Sequence, residues 1–352
     1  MTTLASLGGW PAVLTRLMAG GDLARDEASA ALSDVLEGTA TQAQLAAFLT
    51  ALRTKGETVE EITGLVEAVL AHAEPVSVAG ADGLVDTCGT GGDRSGSINV
   101  STLSALVVAG AGARVVKHGN RAASSATGSA DVLEALGVRI DVGPDGVLRC
   151  LEAAGMAFCF APRFHPAFRF AGPVRRELGV PTVFNFLGPL ANPARPGRQV
   201  LGVSSPDMAE RMVHVLAANG VRRAMVVYGH DGFDELTTTT TSTVLDLADG
   251  EVTASTVDPA DLGLARATVE ELRGGDAQAN ADAVRRVLAG EHGPRRDIVL
   301  LNAAAAAVVA GLAATLAEGL EVAAASMDEG RAAGVLDRLV QASTAEAAAV
   351  PS

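Results

Sequence analysis

Aromatic residues make up only 3% of the 352 positions, with a single Trp, a single Tyr and nine Phe. Nucleic-acid surfaces need basic charge and aromatic faces on which bases stack. A formal net charge of -14 repels a phosphate backbone over most of this surface, so no nucleic-acid partner is expected. Positive charge for any anionic ligand must therefore be concentrated locally. Cysteine is scarce too. Cys88, Cys150 and Cys159 lack paired or metal-ligand spacing, which excludes a disulfide framework and favours free thiols in a reducing compartment. No cationic leader opens the chain, and Gly8, Gly9 and Pro11 interrupt any apolar run there, so the expectation is a cytoplasmic protein. One uncharged 20-residue stretch, Ile298 to Ala317, is long enough to span a bilayer. Alanine dominates that stretch and Asn302 interrupts it, so it reads as a buried helix and no membrane partner is expected. The 48% hydrophobic content is enough for a large core and suggests two subdomains.

Apolar periodicity predicts amphipathic helices over Pro11 to Met18, Ala24 to Glu37, Thr41 to Thr54 and Thr58 to Ala73, with Thr58 and Glu61 as a capping box. Glu74-Pro75 breaks the pattern. Short apolar strands then alternate with helices: Gly83 to Asp86, Arg114 to Lys117, Ala157 to Ala161, Gln199 to Val203 and Arg223 to Tyr228. Such alternation predicts an α/β fold with a mostly parallel central sheet flanked by helices, preceded by a small all-helical N-terminal domain. Thr237 to Thr241 and Val244 to Leu247 are β-branched or apolar and read as extended, and helix returns from Thr268. The Ala-rich tail from 344 to 352 reads as frayed.

Two segments carry chemistry. Asp86 to Asp93 reads DTCGTGGD, between a strand and a helix opening at about Ile98. Glycines let a phosphate approach backbone N–H groups, and the following helix adds partial positive charge. The spacing matches neither a dinucleotide fingerprint nor a P-loop, and a plain glycine-rich turn is the other reading. About 25 residues on, Lys117-His118-Gly119-Asn120-Arg121 closes a strand and leads into hydroxyl-rich residues through Ser129. Lysine and arginine at the mouth of such a loop suit a polyanion; alone, the segment also reads as a solvated basic loop.

Together with SINVST from Ser97 to Thr102, KHGNRAASSATGSADVLEALG from Lys117 to Gly137 and GVPTVFNFLGPLANPA from Gly179 to Ala194, these motifs resemble the anthranilate phosphoribosyltransferase family. His165-Pro166, Pro173-Val174-Arg175 and Asp234-Glu235-Leu236-Thr237 continue the match, in order, from about residue 40 to 335. The resemblance implies transfer of the 5-phosphoribosyl group of phosphoribosyl pyrophosphate (PRPP) to the amine of anthranilate, a step of tryptophan biosynthesis. It also implies a helical domain over 1–76, joined by a segment near 168–190, an α/β domain over 77–343, and a homodimer. By the same resemblance Gly89, Gly92, Asp93, Ser97, Asn99, Val100, Ser101, Thr102, Lys117, Asn120, Arg121, Ser125 and Ser129 meet PRPP. Gly89, His118, Asn120 and Arg175 meet anthranilate, and Ser101, Asp234 and Glu235 hold Mg²⁺. No residue is assigned to covalent or acid–base catalysis; Lys117, His118 and Arg175 act by charge and positioning. Arg175 suits a carboxylate through its bidentate fork. His118 either contacts the amine or carboxylate or orders its loop. Adjacent Asp234 and Glu235 also read as ordinary helix-start acids.

Two departures stand out. Ala126 occupies a position where many relatives carry lysine, and Phe170 one where histidine is frequent. Two other functions are compatible with the architecture: a pyrimidine nucleoside phosphorylase, and a nucleic-acid-binding relative without transferase activity.

Overall fold

The computed structural model describes residues 2–93, 95–122 and 127–348. Four helices come first: α1 (Gly9–Met18), α2 (Arg25–Leu36), α3 (Gln42–Lys55) and α4 (Val59–Ala71). Their starts follow from local chemistry. The Thr58 hydroxyl accepts from the Glu61 N–H at 3.2 Å while the Glu61 carboxylate accepts from the Thr58 N–H at 2.9 Å, the capping box expected from the sequence. Thr41 and Gln44 repeat the arrangement at the start of α3.

Beyond residue 83 the chain builds β1 (Leu84–Gly89), α5 (Val100–Gly110), β2 (Arg114–Gly119), α6 (Ser129–Ala135), α7 (Pro144–Ala154) and β3 (Met156–Phe160). Three short helices follow, α8 (Ala161–Phe164), α9 (Gly172–Leu178) and α10 (Phe184–Leu190). Next come β4 (Arg198–Gly202), α11 (Pro206–Ala218), β5 (Arg223–Gly229), β6 (Ser242–Ala248) and β7 (Glu251–Val257). Helices α12 (Val269–Leu272), α13 (Ala277–Leu288), α14 (Pro294–Ala310), α15 (Leu316–Asp328) and α16 (Arg331–Ala348) complete the described chain.

The seven strands lie in the order β3-β2-β1-β4-β5-β6-β7. The first five are parallel, and β6 and β7 join antiparallel. Successive strand residues face opposite sides, so Met225 and Val227 join one core while Ala224 and Val226 join the other. The first core is closed by α5, α7, α13, α14 and α16, the second by α11 and the N-terminal helices. Ala171, Val174, Phe184 and Leu187, from α9, α10 and the turn before them, are buried in that second core. From β1 the chain proceeds outward through β2 and β3, then returns to the opposite side of β1 as β4. That reversal opens a crevice at the carboxyl ends of β1 and β4, the place where open α/β sheets bind ligands.

The structure departs from the sequence reading at two places. Thr237 to Thr241 form no strand, because the Thr237 and Thr239 hydroxyls turn back to the Asp231 carboxylate and hold a compact loop. Strand β7 has no counterpart in the sequence reading; its residues are mostly exposed, so the alternating apolar signal of a half-buried strand is missing. The charge-free stretch from Ile298 splits at Gly311 into α14 and α15, with α14 buried in the first core. No helix among the described residues is long and apolar enough to cross a membrane.

Candidate active site

Strands β1 and β4 both end in glycine, and Gly89 pairs with Gly202. Neither position has room for a side chain. A Cβ on Gly202 would lie 1.6 Å from the Asp234 carbonyl oxygen, and one on Gly89 would lie 2.3 Å from Asp234 Oδ2. The loop bearing Asp234 and Glu235 therefore sits directly on the two strand ends. After Gly89 the chain turns through Gly91 and Gly92, with φ of +67° and +83°, dihedrals that side-chain-bearing residues rarely adopt. That turn points the Gly91 N–H at Asp234 Oδ2, 2.7 Å away. Burial and the nearby charge of Asp93 push the Asp234 carboxyl up to about 7, and burial beside Asp234 raises Glu235 as well. Two acids held together against their mutual repulsion form a hard-oxygen cluster suited to a divalent cation that also contacts a ligand.

On β2, Lys117 is only 2% exposed. Its ammonium donates to the Thr87 carbonyl and, at 3.2 Å, to the Ser101 hydroxyl at the start of α5. Its charge favours the ionised forms of Asp86 and Glu235, which flank it. Asp86 is fully buried, and loss of solvent pushes its carboxyl up to about 6. It accepts from the His118 N–H at 3.3 Å and from Asn192 Nδ2 at 2.8 Å, while Asn192 also donates to the Val116 carbonyl at 2.8 Å. Asp86 and Asn192 thereby clasp β1, β2 and the segment entering β4 at the point where Lys117 and His118 emerge. Both residues lie inside the motifs quoted above, yet neither has a role in the sequence reading.

His118 Nδ1 lies 3.0 Å from the Gly188 carbonyl. A carbonyl accepts only, so Nδ1 carries the proton and Nε2 presents a lone pair. Nε2 is buried and has no hydrogen-bond partner among the described residues. Burial pushes His118 down to about 3 and His165 to about 4, so both rings are neutral at physiological pH. From His118 a row of rings runs outward: His165 at 5.0 Å edge-on, Phe168 stacked on His165 at 5.1 Å, and Phe184 edge-on to Phe168 at 5.5 Å. The Arg175 guanidinium lies over Phe184 at 5.1 Å, and it has no carboxylate partner among the described residues. Burial lowers its pKa. An apolar aromatic row with an unpaired arginine at one end and an imidazole acceptor at the other suits a planar aromatic acid carrying an amine. Phe168 and Phe184 were missed by sequence reasoning because isolated phenylalanines read as ordinary core.

The remaining predicted residues divide. Asn99 caps the approach to α5, and its side chain donates to the Thr127 carbonyl at 3.1 Å. Ser97 accepts from the Ser95 hydroxyl at 3.2 Å in the same loop, and Asp93 accepts from the Ser95 N–H at 3.3 Å. Val100 and Thr102 are 1% and 0% exposed, so their side chains support the first turn of α5 from within. Asn120 is exposed at the end of β2, and the Ser129 hydroxyl donates to its carbonyl at 3.4 Å. Arg121 is engaged by Asp131 and Glu134 at 2.9 and 2.7 Å and covers the Phe160 ring. Ser125 and the Ala126 departure lie outside the described residues. Phe170 packs against Gly38, where a Cβ would lie 2.6 Å from its ring, and the Arg169 guanidinium lies over the ring at 4.4 Å. Asn302 on α14 brackets Leu236 next to the acidic pair, accepting from its N–H at 2.9 Å and donating to its carbonyl at 2.8 Å.

Comparison with known proteins agrees with the fold. The model of the glycosyl transferase family helical bundle domain matches residues 11–73, and that of the family's a/b domain matches residues 81–333. The anthranilate phosphoribosyltransferase of Rhodococcus jostii (strain RHA1) is 56% identical over 335 residues, covering 94% of this chain and 92% of the relative. The crystal structure of the Thermus thermophilus anthranilate phosphoribosyltransferase superposes with a TM-score of 0.88 at 41% identity, covering 94% of this chain and 99% of that one. The Saccharomyces cerevisiae enzyme in complex with PRPP and Mg superposes with a TM-score of 0.88 at 26% identity, covering 96% and 98%. Two family models across most of its length, and relatives at more than half identity, place the chain in the anthranilate phosphoribosyltransferase family of glycosyl transferases.

Proposed function

We propose that this protein transfers the 5-phosphoribosyl group of PRPP to the amine of anthranilate, forming N-(5-phosphoribosyl)anthranilate and releasing pyrophosphate. The observation that carries the reading is a pair of half-sites side by side at the carboxyl end of the sheet. A glycine turn and Lys117 suit a pyrophosphate, the acidic pair suits a divalent cation that accompanies it, and beside them the ring-lined row ends in Arg175, which has no carboxylate partner among the described residues. Displacement at the anomeric carbon builds positive charge on the sugar and negative charge on the leaving group. The chain must therefore align the reactants and neutralise pyrophosphate, with little need for a strong base.

Lys117, held by Thr87 and Ser101, supplies a fixed cation whose desolvation increases its effect on phosphate oxygens. Ser97 and Asn99 and the turn at Gly91 and Gly92 line the donor site. Asn120, Arg121 and Ser129 form its outer wall. Arg175 holds the anthranilate carboxylate through two parallel N–H bonds. The lone pair on His118 Nε2 accepts a hydrogen bond from the aromatic amine and orients its nitrogen toward the sugar. Asp234, Glu235 and Ser101 would hold Mg²⁺, which, when bound, neutralises charge on the departing pyrophosphate. Residues 1–76 with 168–190 form one wall of the cleft and 77–343 the other, in a cytoplasmic homodimer.

The direct test is loss of anthranilate fluorescence in a mixture of protein, anthranilate, PRPP and Mg²⁺, with each component omitted in turn. Loss that requires all of them supports the reading. An intact, folded protein that leaves anthranilate untouched, but cleaves uridine with phosphate, would place it among the phosphorylases instead.

A further inference from the structure

We propose that Asn280, on α13 far along the chain, is a positioning residue that locks the two loops of the phosphoribosyl-donor site to each other. Its side chain is 2% exposed. Oδ1 accepts from the Gly275 N–H at 2.8 Å, and Nδ2 donates to Asn99 Oδ1 at 2.9 Å. Asn99 in turn donates from its own Nδ2 to the Thr127 carbonyl at 3.1 Å, and the Thr127 hydroxyl donates to the Gly275 carbonyl at 2.8 Å. The four bonds close a ring through three segments. One leaves β1, one enters α6, and the third is the Gly274-Gly275 turn before α13.

Backbone contacts fasten the same turn to the first loop. The Gly274 N–H donates to the Gly96 carbonyl at 2.7 Å, and the Ile98 N–H donates to the Leu272 carbonyl at 3.0 Å. Gly274 must be glycine here, because a Cβ would lie 2.4 Å from Asn280 Oδ1 and 2.9 Å from the Ser97 carbonyl oxygen. Asn280 itself must donate and accept at once over a short reach. Aspartate has no donor, and leucine has neither function. The Ser97–Asn99 and Thr127–Ser129 segments reach the donor from separate parts of the chain, so their spacing depends on a third element that touches no substrate. Buried polar rings of this kind hold a geometry when complete and release it when one member is lost.

The inference rests on the proposed transferase reading. Asn280→Ala removes two neutral hydrogen bonds, each worth about 1 kcal/mol or roughly fivefold, so it should raise the KM for PRPP about fivefold or more. The KM for anthranilate should stay within about twofold, because the Arg175 pocket shares no bond with the ring. Thr127→Val removes a different link and should act in the same direction. The double variant should fall short of the product of the two effects, as expected for members of one network. Hydrogen exchange of peptides covering 95–99 and 127–129 should quicken in both single variants. A PRPP KM within twofold of wild type in both folded variants, equal rises in both KM values, or fully multiplicative effects would each overturn the proposal. Wild-type protein that leaves anthranilate untouched would remove the transferase reading instead, and exchange would still report whether Asn280 holds the two loops.

Discussion

Asn302 offers a sharp test of how the acidic pair is held. It lies in the uncharged, alanine-rich stretch of α14 after Asp297, where its only sequence signal is polarity. In the fold it is 2% exposed, accepts from the Leu236 N–H and donates to the carbonyls of Leu236 and Ile298, all at 2.8 to 2.9 Å. Asn302→Leu keeps the branched heavy-atom outline and removes all three bonds. The Leu236 N–H and carbonyl are left buried next to Glu235, each at a desolvation penalty of about 1–3 kcal/mol, offset in part by the apolar gain of leucine. The net expectation is a loss of about 3 kcal/mol, which for a chain of this size lowers the thermal midpoint by on the order of 5 °C. Because Leu236 follows the pair directly, the released loop should also demand more Mg²⁺. The half-saturating concentration should rise several-fold, with the anthranilate KM little changed. Thermal denaturation and a magnesium titration of turnover measure both effects. If the midpoint moved by less than about 1 °C and the titration overlaid wild type, Asn302 would not be what holds the acidic loop.

Other outcomes follow from the same geometry. Asp234→Asn and Glu235→Gln should each raise the magnesium requirement at least about tenfold, since one hard anionic ligand is lost; an unchanged titration in either would remove that residue from the metal site. Arg175→Lys should raise the anthranilate KM by about tenfold while leaving the PRPP KM within twofold, because an ammonium cannot grip a carboxylate bidentately. His165 is held down to about 4 from its ordinary 6.5, so the folded protein takes up fewer protons than the unfolded chain between those values. Its contribution is present above pH 6.5 and is lost on acidification through pH 4, the loss amounting to about 3 kcal/mol. Asp86, raised to about 6, acts with the opposite sign over part of that window, so the informative quantity is the difference between variants. His165→Phe keeps the stack on Phe168 and should lessen the acid-induced fall in midpoint; a parallel fall would show that His165 is not the group involved.

Much of the candidate site was legible because its residues are contiguous. DTCGTGGD and KHGNR each place glycine, charge and a strand end within a few positions, and Asp234-Glu235 is a dipeptide. Asp86 was in view but without a role, since nothing local shows that its carboxylate points inward to His118 and Asn192. The Thr237 to Thr241 run misled, because β-branching favours strand while the hydroxyls found Asp231, six to eight residues earlier in the chain. Strand β7 was hidden by its exposure on both faces.

The sequence by itself determined the element order as far as β5, the alternation that produces a parallel sheet, the capping of the early helices and the residue types of both loops. Those properties depend on interactions within one or two turns, where side-chain type and spacing decide the outcome. The tertiary structure alone decided that β4 returns beside β1 and opens the crevice there. It also decided that Phe168 and Phe184 line up between His118 and Arg175, and that Asn192, Asn280 and Asn302 fasten loops 66 to 181 residues distant. A single amide in a helix looks alike whether it meets water or a buried carbonyl, and only the packing of distant segments removes the water that would otherwise satisfy it.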